Sequence, residues 1–312
     1  MSKNKIIPIF FAADENYAPY LATALHSLLE NANKEFHYQI HVLHAGMDCE
    51  SENVKKLEAY NSEKVTLSFV DVEKQMQDVK ENLHLRDYYT GATYYRIFIA
   101  NMFPQYDKAL YLDSDILLLG DVSELYATEL GENLVGAVPD GAVASVSEFA
   151  LYTKEALGIS FEKYFNAGVL LMNLKAFREY GFYQKFCALL KEYKFTVAQD
   201  QDYLNVICKD KVEYLGEEWN RMPLGMVDKG ERAPKLIHYN LTMKPWHYRG
   251  VTYEEYFWAY AKKTAFYENI LNALNAYTQA QKDGDKASEK ALIEKCVKEA
   301  NDENNYSKRQ AK

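Results

Sequence analysis

The chain has 312 residues, 48% of them hydrophobic, enough to bury a full core as one large domain or a domain with an appendage. Its formal net charge of -9 argues against nucleic acid as the main partner, because binding a phosphate backbone needs a basic footprint. An anionic small substrate would then need a local cation, supplied by a metal or by a few placed Lys and Arg.

The first half alternates strand and helix signals. Residues 6 to 12 read as a strand, 19 to 31 as a helix, 38 to 44 as a strand, 49 to 60 as a helix and 65 to 72 as a strand. The opening apolar run is short, carries Pro8 and leads into Asp14, so it is a first strand rather than a secretion signal. Such alternation implies an α/β layered fold with a mainly parallel sheet, in which ligands collect at the carboxyl ends of the strands. The acidic stretch Asp14-Glu15-Asn16-Tyr17 sits at one such end. Residues 73 to 93 show no clear period and read as a loop; residues 93 to 100, with Arg96, read as helical.

Tyr111-Leu112-Asp113-Ser114-Asp115-Ile116-Leu117-Leu118-Leu119 reads as a buried apolar strand interrupted by two carboxylates. Residues i and i+2 of a strand share a side, so Asp113 and Asp115 can face one ligand if the strand ends there. A divalent cation compensates such a pair, since burying two unpaired like charges costs several kcal/mol; the plainer alternative is a capped, solvated Asp-Ser-Asp turn. Further strands are expected at 134 to 138 and 165 to 173, a helix from 175 to about 194, and another helix opened by Gln199-Asp200-Gln201-Asp202. A short strand delivers His238, and Lys244 follows ahead of Pro245-Trp246. A lone histidine is more often a core residue than a metal ligand, but here two carboxylates await a third donor.

From residue 253 the sequence is helical to about 300. Tyr256, Phe257, Tyr260, Ala261, Phe266, Ile270 and Leu271 form an apolar stripe broken near Thr264. A Lys/Glu/Ala-rich helix follows from about 280, with weak apolar positions at Ala287, Leu292, Ile293 and Val297, and reads as a solvated helix packing lightly on the core. Its mixed charge argues against an interfacial membrane helix, though pairing with another subunit or peripheral membrane contact stays open, as does oligomeric state. Four cysteines, at 49, 187, 208 and 296, lack metal-ligand spacing and read as free thiols in a reducing compartment. With no span long enough for a bilayer, a cytoplasmic location is expected.

Five stretches in order, Phe11-Ala12-Ala13-Asp14-Glu15-Asn16-Tyr17, Tyr111-Leu112-Asp113-Ser114-Asp115, Phe165-Asn166-Ala167-Gly168-Val169, Gln199-Asp200-Gln201-Asp202 and His238 with Lys244-Pro245-Trp246, resemble the family 8 retaining glycosyltransferases. That group includes bacterial lipopolysaccharide α-galactosyl- and α-glucosyltransferases and, more distantly, glycogenin. The resemblance implies a Rossmann-like GT-A domain over residues 1–250, with residues 251–312 as a C-terminal helical extension. It implies a UDP-sugar donor, UDP-glucose or UDP-galactose, and a saccharide or lipopolysaccharide acceptor. Asp113, Asp115 and His238 would hold a divalent metal, with Mn²⁺ favoured over Mg²⁺ by the mixed carboxylate and imidazole donors. Asp14, Asn16 and Tyr17 would take the uridine, with Ala12 and Ser114 completing the nucleotide site and Lys244 on the diphosphate. Arg96, Asn166, Asp200 and Gln201 would surround the transferred hexose, and Asp140 falls where relatives contact the acceptor. Leu241 is a departure, standing where the lipopolysaccharide enzymes commonly place glycine. A UDP-sugar hydrolase or a binding protein that has lost turnover are the alternative readings. Residues 73 to 93 and 220 to 234 are the expected acceptor walls.

Overall fold

The computed structural model describes residues 5–77, 79, 83, 91–223 and 232–311. Its nine described strands are β1 (Lys5–Ala12), β2 (Phe36–His44), β3 (Val65–Asp71), β4 (Ala109–Asp113), β5 (Ile116–Leu118), β6 (Val135–Pro139), β7 (Phe165–Met172), β8 (Val212–Tyr214) and β9 (Leu236–His238). Seven of them form one sheet in the order β3-β2-β1-β4-β7-β6-β8, and β5 pairs with β9 in a second.

The central strands read as continuous apolar runs because both faces of the sheet are covered. Ile7, Ile9 and Phe11 of β1 enter one core, while Phe10 enters the other. β4 divides the same way, with Leu110 and Leu112 on one face and Tyr111 on the opposite one. Each such side chain stabilises the fold by about 1.5–3 kcal/mol relative to exposure.

β1 runs parallel to β2 and to β4, whereas β7 runs antiparallel to β4 and to β6. Because of that reversal, the beginning of β7, rather than its end, lies beside the carboxyl ends of β1 and β4.

Two expectations are corrected. The run from Tyr111 to Leu119 is not one strand: β4 ends at Asp113, Ser114 and Asp115 turn, and β5 joins the other sheet. The helix expected from 175 to 194 is two, Leu174–Tyr180 and Phe182–Glu192, divided at Gly181, whose φ of 68° ends the first in the left-handed conformation glycine tolerates. The tail helix Gln279–Asn301 is largely solvated, as read from its sequence, and packs along the helix Ser147–Leu157 through one side, burying Cys296 and Ala300. The helices Gly141–Ser145 and Ser147–Leu157, and the strand β8, were not anticipated. All four cysteines are free, and among the described residues no helix is long and apolar enough to cross a membrane.

Candidate active site

The carboxyl ends of β1 and β4, the start of β7 and the end of β9 surround a cavity of about 460 Å³. The turn after β4 is its floor. Ala12 and Asp113 are register partners at the ends of β1 and β4, and the Ser114 hydroxyl donates to the Ala12 carbonyl at 2.8 Å. Ile116 pairs with His238 across the second sheet, and the Tyr239 amide donates to the Asp115 carbonyl at 2.9 Å. Asp113 and Asp115 therefore converge through a turn pinned at both ends, not through the alternation of one pleated strand.

Asp113, Asp115 and His238 each offer one ligand atom, all within 4.8 Å of one another. His238 Nδ1 lies 3.0 Å from Asn220 Oδ1, and an amide oxygen only accepts, so Nδ1 carries the proton. In the neutral ring the lone pair on Nε2 then faces Asp115 Oδ1 at 3.3 Å, and that buried oxygen makes no hydrogen bond among the described residues. Two acceptors facing each other is an arrangement that a bound cation resolves, so the donor set fits a divalent metal. Gly168 fits it too: a Cβ there would lie 2.3 Å from His238 Cε1 and 2.6 Å from Asp113 Oδ2. Only a residue without a side chain leaves room for the cluster.

Arg96 joins this floor to the next wall. It lies on the 3₁₀ helix Gly91–Phe98, 4% exposed, with its guanidinium 3.1 Å from Asp113 Oδ1 and 3.0 Å from Asp200 Oδ2. It also donates to the Ala167 carbonyl and rests over the Tyr111 ring at 4.3 Å. Burial pushes the Asp200 carboxyl up to about 7 despite the Arg96 charge that opposes the shift. Asp200 opens the helix Asp200–Ile207 behind Gln199, a non-glycine residue at φ 51°. Asp202 anchors that turn from below, fully buried, accepting from the hydroxyls of Tyr152 (2.9 Å) and Tyr164 (2.7 Å) and from the Ala198 amide (2.9 Å).

An amide chain then crosses the site. Asn220 donates to Asn166 at 3.0 Å, and Asn166 and Gln201 each donate to Asp140 Oδ2 at 3.0 Å. Gln201 Oε1 accepts from the Ala167 amide at 2.9 Å, so both ends of its side chain are committed. Asp140 meanwhile caps the helix Gly141–Ser145.

Opposite stands the turn after β9. Lys244, 7% exposed, places its ammonium on Asp115 Oδ2 and on the Tyr239 carbonyl. Burial alone would push the Asp115 carboxyl up, but the Lys244 ammonium against it opposes that shift, and the group is held well below the usual carboxylate range. Trp246 stacks on Tyr20 at 4.0 Å beneath the turn. Leu241 sits at φ 58°, the left-handed region, which costs a leucine about 1–2 kcal/mol. The backbone thus adopts a shape suited to glycine at a residue that lines the cavity.

Of the residues singled out from the sequence, Ala12, Asp14, Tyr17, Arg96, Asp113, Ser114, Asp115, Asp140, Asn166, Asp200, Gln201, His238, Leu241 and Lys244 line this cavity. Asn16 does not; it is exposed in the 3₁₀ turn Glu15–Tyr17. Ala92 and Thr93 line it, whereas the rest of the expected acceptor walls falls in part on residues 78, 80–82, 84–90 and 224–231, which lie outside the described residues. The tail read as lightly packed supplies Tyr277, Asp285, Leu292 and Cys296 to the lining. Asn220 and the tail residues had no local sequence signal. Gly168 had one, as a glycine inside an otherwise apolar strand.

The family 8 pattern deduced from the sequence meets the same result by comparison: a model of the family described as Glycosyl transferase family 8 matches residues 8–250. The chain belongs to that family. Lipopolysaccharide 1,3-galactosyltransferase of Salmonella typhimurium is 25% identical over 86% of this chain and 82% of its own length. Among solved structures, galactosyltransferase LgtC, determined with donor and acceptor sugar analogues, superposes with a TM-score of 0.69 at 30% identity, over 83% of this chain and 96% of LgtC. The bifunctional WbbM gives a TM-score of 0.76 at 25% identity over 88% of this chain; this chain spans about half of WbbM, 53%. This family 8 protein is a glycosyltransferase with the GT-A fold, an enzyme class that moves a sugar from a nucleotide-sugar donor to an acceptor.

Proposed function

We propose that the enzyme transfers a hexose, glucose or galactose, from a UDP-sugar to a saccharide of the lipopolysaccharide or cell-surface glycan type, with retention and with dependence on Mn²⁺. The observation that carries this reading is the facing pair of acceptors, His238 Nε2 and Asp115 Oδ1, beside Asp113 and over Gly168. A divalent cation held there supplies charge that offsets the negative charge growing on the departing diphosphate. Lys244 adds a second positive charge at the same end of the cavity. Tyr17 offers an aromatic face to the base at the mouth of β1. Arg96 fixes Asp200, which orients sugar hydroxyls.

Gln201 bears on the stereochemistry. A double displacement needs a carboxylate nucleophile behind the anomeric carbon. Gln201 is an amide with both ends hydrogen-bonded, and the Asp200 carboxylate is held by Arg96. Departure and attack on one face, with the leaving phosphate taking the acceptor proton, agrees with that arrangement. The names of the Salmonella enzyme and of LgtC support the acceptor class and the hexose. Residues 1–250 would form the transferase domain and 251–312 an extension to it.

The test is calorimetric titration of UDP, UDP-glucose, UDP-galactose and UDP-GlcNAc with and without Mn²⁺, followed by assay for released UDP. Metal-dependent binding that prefers one hexose, with slow UDP release, is expected. Full turnover after exhaustive chelation, or no binding of any of the four, would overturn the reading.

A further inference from the structure

The tail helix Gln279–Asn301 lies wholly beyond residue 250, where the family match stops. Its sequence is strongly polar, and little of it is buried apart from Cys296 and Ala300. Yet it and the residue pair just before it make a concentrated set of contacts with one short segment, the turn that carries Leu241 and Lys244. The Thr242 hydroxyl donates to Glu289. The Tyr248 hydroxyl donates to Asp285 Oδ2 at 2.6 Å, and the Tyr277 hydroxyl donates to the same oxygen at 2.8 Å. His247 lies flat on Tyr277, with ring centroids 3.9 Å apart and planes 6° apart. The Lys282 ammonium sits 5.5 Å above the Tyr248 ring.

These contacts bracket Lys244 on both sides, at 242 and at 247–248. The turn needs such support. Leu241 holds a left-handed conformation that it does not favour on its own, and the turn's internal bonds are few: the Lys244 amide to the Thr242 carbonyl at 2.8 Å, and the His247 and Tyr248 amides to the Lys244 carbonyl at 3.0 and 2.9 Å. Its inner face rests on the stack of Trp246 with Tyr20; its outer face rests on the tail.

We propose that the tail helix is a working part of the donor site, with Asp285 and Glu289 as positioning residues that clasp the 241–248 turn and so hold Lys244 where a nucleoside diphosphate is bound. This rests on the UDP-sugar reading above. Loss of the clasp leaves the strands and the metal-facing carboxylates in place but frees the turn, so that donor binding must first re-form it.

The experiment titrates UDP in excess Mn²⁺ into the full-length chain and into Asp285→Ala, Asp285→Asn, Glu289→Ala and Glu289→Gln variants. Glu294→Ala serves as control, since Glu294 is exposed on the same helix and pairs with Lys290 at 3.8 Å. Melting temperature and amide exchange of residues 241–248 are read in parallel. Asp285→Ala and Glu289→Ala should each weaken UDP binding about tenfold, the scale of one or two lost charge-assisted hydrogen bonds. Donor KM should rise with kcat for UDP release little changed, and the amides of the turn should exchange faster. Asp285→Asn and Glu289→Gln, which keep an acceptor oxygen, should recover most of the affinity, and Glu294→Ala should match the unaltered chain. Glu289 is exposed, so its variants fold whatever happens at Asp285. Unchanged UDP affinity in the Glu289→Ala and Asp285→Ala chains, even with a lowered melting temperature, would reduce the tail to a prop and overturn the proposal. Absence of UDP binding by the unaltered chain would overturn the donor reading, and this one with it.

Discussion

The two long walls of the cavity are built on opposite principles. One is carried by β4, β7 and β9, whose backbones are fixed by ladder hydrogen bonds, and its functional groups stand at strand ends with little freedom. The other is a turn and a helix that meet through side-chain contacts between residues 242–248 and 277–289. A glycosyltransferase needs both kinds: a rigid seat for charge, where fractions of an ångström count, and a wall that can differ between relatives with different acceptors. The difference teaches where substitutions should act steeply and where they should act gradually.

The steepest response is expected at Gly168. Gly168→Ala inserts a Cβ between His238 and Asp113, and neither neighbour can retreat because one is held by β9 and the other by β4. Mn²⁺ affinity, read by electron paramagnetic titration, should fall by at least about 100-fold, beyond the usual loss for an outer-shell change. Normal affinity in that variant would break the claim that this wall is rigid. Asn220→Ala comes next. It removes the acceptor that sets the His238 tautomer, and the same titration should show a loss of about 10- to 100-fold, partly recovered in Asn220→Asp. Equal affinity in the alanine variant would mean that the imidazole is aimed by packing alone.

The smallest effect concerns the frame beneath Asp200 and Gln201. Burial raises the Asp202 carboxyl to about 6, above its ordinary value near 3.8. Between those limits the folded chain keeps a proton that the unfolded chain has released, so this group makes stability fall as pH rises from about 4 to 6. Asp202→Asn should remove that component. The difference in urea stability between parent and variant should change across this window by about 1–3 kcal/mol and be flat above it. A difference that does not vary with pH would show that Asp202 is ionised throughout.

The same division separates what the sequence discloses from what it hides. β1, β4 and β7 were legible because a strand buried on both faces must be apolar, and a carboxylate or glycine within one stands out. Asp113, Asp115, His238, Asn166 and Gln201 followed from motifs carried by those strands and by one helix start. The break of the strand at Asp113 was not legible, since Tyr111 to Leu119 is equally apolar on either side; only pairing with β9 moves Ile116 into another sheet. The helices between Asp140 and β7 were hidden by a weak apolar pattern. Asn220 and Asp285 look like ordinary surface residues, because the partners that define them lie 18 and 37 positions away.

The antiparallel placement of β7 has a consequence for how this chain can vary. Asn166 and Gly168 lie on one side of the strand and Ala167 on the other; Asn166 is committed by contacts to Asp140 and Asn220, the Ala167 carbonyl by Arg96, and Gly168 by the closeness of His238 and Asp113. Sliding β7 by one residue would exchange the two sides, put a side chain into the carboxylate–imidazole cluster and present the wrong face to both cores. Deletions or insertions between Asp140 and Phe165 must therefore leave the hydrogen-bond phase of β7 untouched, and growth or loss there is confined to whole excursions such as the helix pair that now fills it.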